Sequence, residues 1–172
     1  MGVTYTNSSA LTYEPIQSFT LANSSTATFN FTSIPSTYTD LVLVMTGAAT
    51  VGNNAIFINI NADTNVNNYG FTEMAGSGST TSSQRRIQNT GWVFWQGMST
   101  SYDNVVKIEL NNYAKTVGYK TAMLINNSAQ GHTEQLIGSW ANTSAINRIE
   151  IFTTNGAFYI GTMATLYGIK AA

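Results

Sequence analysis

The chain of 172 residues predicts an all-β fold, a single-domain antiparallel β-sandwich with jelly-roll-like layout. Three observations predict it. Apolar residues recur at every second position through most of the chain, β-branched and aromatic residues fill those runs, and Gly, Asn and Ser clusters punctuate them. No window carries the 3.6-residue period of an amphipathic helix, so about ten short strands without intervening helices favour two packed sheets over an alternating α/β layout.

Taken in order, residues 27–31 alternate cleanly around Phe29 and Phe31. Residues 41–45, Leu-Val-Leu-Val-Met, are apolar throughout, the pattern of a central strand covered on both faces, one of them by a subunit neighbour. Ile56, Ile58 and Ile60 share one face opposite Asn59, and Val106, Ile108 and Leu110 oppose Lys107 and Glu109. Further strands are expected over residues 91–98, 120–125, 134–140, 146–152 and 157–167. Asn155-Gly156 predicts a two-residue type I′ hairpin, because both turn positions of that type need positive φ. Two segments break the alternation. Residues 1–12 read as a polar N-terminal arm preceding a sandwich domain over 13–172, and the Gly/Ser/Thr-rich stretch 75–84 reads as a mobile loop.

Composition excludes several functions. The absence of Cys removes disulfides, thiolate metal sites and thiol nucleophiles. Charged residues are only 9% of the chain and the net charge is -1, which leaves no basic excess for nucleic acid. No stretch reaches the length of a membrane helix, and the first residues lack the basic and apolar regions of a secretory leader, so no membrane partner and assembly in cytoplasm are expected. Gly2 makes only a partial myristoylation start. With 43% hydrophobic residues and Asn, Ser and Thr as the main polar complement, the surface suits a protein covered by neighbours in an assembly.

Candidate chemistry is sparse, and no catalytic residue or cofactor is expected. His132 is the only histidine and falls in a loop-like stretch without a second metal-ligating imidazole. Asp63, Asn65 and Asn67 start like a calcium loop, but Asn68 occupies the glycine position and Met74 the final glutamate position, so a polar loop with at best a weak cation site is expected at 63–67. Asp63 and Glu73 are the carboxylates nearest to a glycosidase-like pair, without spacing that fixes them across a cleft. Trp92, Trp95, Tyr102 and Tyr113, interleaved with Asn89, Gln96 and Asn104, form the most binding-like group, since sugars stack on aromatic rings and bond to amides. Strand alternation puts Trp92 with Phe94 on one face and Val93 with Trp95 on the other, so packing or an interface accounts for at least one pair. The Asn-x-Ser/Thr triplets follow from composition alone.

Three stretches together resemble a family of phage virion structural proteins, known as tail fibre or capsid decoration proteins. They are Tyr13-Glu14-Pro15-Ile16 with residues 29–43; residues 68–78 with 112–121; and residues 140–146 leading to the ending Leu166-Tyr167-Gly168-Ile169-Lys170-Ala171. The likeness spans residues 13–172, and the segment 92–98 has no counterpart in it. The resemblance implies a jelly-roll-like module on the virion surface, commonly a homotrimer, with no catalytic or metal residues carried over. It favours a non-enzymatic capsid-decorating or cement protein whose partners are copies of itself and the major capsid protein or other virion proteins. The alternative is a tail fibre or tail-tip receptor-binding protein contacting host glycan through the Trp92/Trp95 region.

Overall fold

The computed structural model describes residues 13–170, except Ser24, Asn53, Gln88, Tyr102 and Gln130; of Gln96 it describes the main chain alone. The expected arm at 1–12 lies outside the described residues. Twelve strands form among those described: β1 (Tyr13–Thr20), β2 (Thr28–Phe31), β3 (Asp40–Gly47), β4 (Asn54–Ile60), β5 (Tyr69–Gly76), β6 (Thr81–Ile87), β7 (Trp92–Met98), β8 (Asn104–Asn111), β9 (Lys120–Ser128), β10 (His132–Trp140), β11 (Ile149–Thr153) and β12 (Met163–Ile169). The helical element among them is one 3-10 turn, Val66–Asn68.

The strands make two antiparallel sheets, one of eight in the order β1-β12-β3-β8-β9-β10-β5-β6 and one of four in the order β2-β11-β4-β7. The four-stranded sheet packs on one face of the larger one, and this is a jelly-roll-like sandwich. Its core is built from the expected alternation: Ile56, Ile58 and Ile60 from β4 meet Leu43, Val106, Ile108, Leu124 and Leu136 from the large sheet, all essentially inaccessible to water. Full burial of one such side chain contributes about 1.5–3 kcal/mol.

Polar tips of large aromatics tie the layers together. Trp92 of β7 donates its indole N–H to the Ser139 carbonyl of β10 at 3.2 Å. Tyr69 of β5 accepts from the Ile60 N–H of β4 at 3.0 Å, and burial holds its phenol above the ordinary tyrosine range. Trp140 donates to Asp63 at 2.7 Å. The Trp92 ring lies against Gly138, where an added Cβ would come within 2.6 Å of it, so a residue without a side chain is required there. Gly168, within the family-like ending, sits equally close to the Tyr38 ring, 2.3 Å from a would-be Cβ.

Three expectations are corrected. Residues 81–87 form strand β6 and not part of a mobile loop: Gly78, at φ +80°, allows a tight hairpin, and β5 supplies the ladder that poor strand propensity would not. Asn155-Gly156 does not close a hairpin, because β11 and β12 belong to different sheets and only Gly156 of the two has positive φ, at +80°. The segment crosses between layers instead, and Phe158 makes isolated bridges to Thr26 and Ala49 before β12 begins. Finally, His132 is not in a loop but opens β10 opposite Ser128, half-buried.

Candidate functional site

The four aromatics singled out by sequence separate. Trp92 and Tyr113 are both fully buried, the latter donating its hydroxyl to the Pro35 carbonyl, and so pack the core instead of meeting a ligand. Tyr102 lies outside the described residues. Trp95 alone of the described three reaches solvent, at 40% exposure.

Trp95 stands at the outer edge of the small sheet, where the pairing of β4 with β7 slips between Asn54 and Ile56. Beside that bulge the Trp95 N–H bonds the carboxylate of buried Glu134 on β10 at 2.9 Å. The Arg86 guanidinium lies over the indole, 4.9 Å from its centroid, and also pairs with the buried carboxylate of Glu73 at 3.0 Å. Phe57 meets the indole edge-on at 6.3 Å and stacks on Phe152 at 5.2 Å. The result is an aromatic shelf with a neutralised cation above it, able to stack an apolar ring face. Sequence reading missed Arg86, Glu134 and Phe57, because nothing in linear order signals that β6, β10 and β4 converge on Trp95.

The carboxylates near 63–73 form no pair. Burial opposes ionisation of Asp63, but hydrogen bonds from Asn68, the Asn65 N–H and Trp140 outweigh it and hold the carboxyl below the ordinary range. Both Asp63 oxygens therefore fasten the turn, and Glu73 is committed to Arg86. Among the described residues no group of three or more His, Asp or Glu could hold a metal ion.

Over the other face of the eight-stranded sheet no strand of the described residues packs. Following the register across it, one row reads Tyr167, Val42, Glu109, Met123, Ile137, Thr72, Arg85 and the next reads Val44, Lys107, Ile125, Gln135, Met74, Ser83. Lys107 and Glu109 pair with each other, and the Glu109 bond raises the Lys107 ammonium above its ordinary value. Apart from this internally neutralised pair and the edge residue Arg85, the two rows are apolar or uncharged. Near β6 the face is hollowed into a groove of about 490 Å³, lined by Met74, Gly76, Thr81, Ser83, Thr133 and Gln135 among others.

No protein-family model and no curated protein matches the chain. Among solved structures, the CBM40 of the Ruminococcus gnavus IT-sialidase bound to α2,3-sialyllactose is similar over 92% of this chain and 95% of its own, at 11% identity and TM-score 0.42. The Caenorhabditis elegans galectin LEC-6 matches over 90% and 96%, at 10% identity and TM-score 0.36. CG-16, a homodimeric agglutinin from chicken liver, matches over 79% and 97%, at 10% identity and TM-score 0.35. Likeness at this level says nothing about ligand or function.

Proposed function

We propose that this chain is a non-enzymatic structural protein of a bacteriophage virion, decorating or cementing the capsid surface as a homotrimer in contact with the major capsid protein. The carrying observation is the nearly uncharged outer face of the eight-stranded sheet, over which no strand of the described residues packs. Seven strand spacings by three two-residue steps make it roughly 34 Å by 20 Å, close to the ~800 Å² per partner of an ordinary stable interface. The occupant proposed is a second copy of the chain. The Lys107–Glu109 pair leaves no net charge at the centre to repel it, and Met123, Ile137 and Met74 supply exposed apolar contact. The sequence resemblance supplies the phage setting and the trimer.

Sedimentation of the purified chain and of its Met123→Lys variant tests the assembly. Loss of the trimer in the variant is expected; a wild-type monomer removes the basis of the reading. Copy number in particles tests the location: hundreds support decoration of the head, whereas about a dozen assign the chain to the tail. The second reading, a tail-tip protein contacting host glycan, is favoured by the exposed Trp95 shelf with Arg86 above it. Binding on a glycan array that disappears in Trp95→Ala supports that reading, and no binding by the wild type rejects it.

A further inference from the structure

The four sheet edges are not built alike. β1 carries Pro15, which has no N–H to offer, and its register with β12 shifts between Pro15 and Gln17. Proline and bulges are the devices by which an edge refuses another strand. β7 is bulged, and the carboxylate of Glu134 takes its Trp95 N–H. β2 is four residues long, and Gln17 holds the following Thr32 by both its C=O and its N–H, at 2.7 and 3.2 Å. β6 has none of these protections. It pairs with β5 from Gly76↔Thr81 to Gly70↔Ile87 without a shift, it contains no proline, and among the described residues no side chain caps the main chain of residues 81–86, Asn89 reaching only the terminal Ile87 carbonyl at a long 3.5 Å.

The geometry points to β6 as the site where a second copy of this chain adds its own β6, making one antiparallel sheet continuous across two molecules. The ladder parity permits it. The Ser77 N–H donates to the Thr80 carbonyl at 3.0 Å, which makes 77/80 a bonded position of the hairpin. Alternation then directs residues 82, 84 and 86 toward β5 and leaves the N–H and C=O groups of Thr81, Ser83, Arg85 and Ile87 facing outward. A two-fold axis through Gln84 pairs outward-facing groups only with outward-facing groups: Ser83 with the partner's Arg85, and Thr81 with the partner's Ile87.

Charge selects that register. An axis through Arg85 or Arg86 sets two guanidiniums face to face, which is destabilising for directly opposed strand positions. An axis through Ser83 leaves Arg86 and Ile87 outside the overlap. The axis through Gln84 uses the whole strand and sets every arginine opposite a serine. Arg86 is already neutralised by Glu73. Only Arg85 remains diagonal to the partner's Arg85, about 7–8 Å away and within reach of screening by salt.

The pair is isologous and closes on itself, so it does not rest on the three-fold contact proposed for the sheet face; on a particle it would join one trimer to the next. The test is sedimentation velocity of the full chain at low and high NaCl, beside variants at Ser83. Because the Ser83 N–H faces outward, Ser83→Pro leaves the β5 ladder intact and blocks only the added strand. Ser83→Arg opposes the partner's Arg85, and the double variant S83R/R85E turns that clash into two cross-strand ion pairs. Expected are association strengthened by salt, weakened about tenfold or more by Ser83→Pro and by Ser83→Arg, and restored in the double variant. Association that persists in both single variants with native circular dichroism, but fails in Met123→Lys, overturns the β6 pair and spares the sheet-face reading. A wild-type chain that stays monomeric at about 100 µM overturns both.

Discussion

The two faces of the eight-stranded sheet differ less in composition than in what closes over them. On the inner face, Leu43, Ile108, Leu124 and Leu136 stand in register across four strands and are sealed beneath β4 and β7. Directly beside them on the outer face, Val44, Lys107, Ile125 and Gln135 occupy the next positions of the same strands, with no strand of the described residues above. Both faces hold enough hydrocarbon to make a core. What singles out the inner one is a set of fixed polar tips, from Trp92 to Ser139, Tyr69 to Ile60 and Trp140 to Asp63, which bond in one arrangement of the layers. Apolar surface drives burial without direction, and these hydrogen bonds choose the partner.

The contrast can be broken at its strongest point by Leu136→Ala, which leaves a cavity under the small sheet and is expected to cost about 2–5 kcal/mol in urea denaturation. Gly138→Ala asks whether the Trp92 tie tolerates any bulk beneath it, and a loss of about 1–3 kcal/mol is expected from overpacking, with a change in tryptophan fluorescence. Asp63→Ala strands the indole N–H of Trp140 and is expected to cost ~1–3 kcal/mol near neutral pH. Because the folded-state value of Asp63 is depressed, its share of stability is full above the unfolded carboxylate value of 3.8 and disappears as pH falls through the folded value. The wild-type and Asp63→Ala stability curves should therefore converge in acid; curves that stay parallel would contradict the assignment. The smallest effect belongs to the other face: Met123→Lys is expected to change monomer stability by within about 0.5 kcal/mol while reducing association.

Much of this was readable in the chain itself. The period of two around Ile56 to Ile60 and Val106 to Leu110 placed the core residues, and the unbroken apolar run of β3 announced a strand with hydrocarbon on both sides, Val42 and Val44 being its outer members. Less legible was anything decided by distant pairing. Residues 81–87 have the composition of a linker and became a strand because β5 lies beside them. Asn155-Gly156 has the residues of a hairpin, yet the strands flanking it pair with other partners. Trp92 and Trp95 lie three positions apart on opposite faces of β7, and the exposed one is held by Glu134, a residue almost forty positions further on. Local pattern reports which residues want shelter, whereas the order of strands decides who provides it.

The pairing of β1 with β12 carries a kinetic consequence. Glu14 and Lys170, joined by an ion pair of 2.8 Å, are 156 residues apart in the chain. During synthesis at ~5–20 residues per second, β1 waits roughly 8–30 s for β12. Until β12 leaves the ribosome, β3 lacks its neighbour on that side and β1 has no ladder at all, so the β1 edge of the sheet is the last to close.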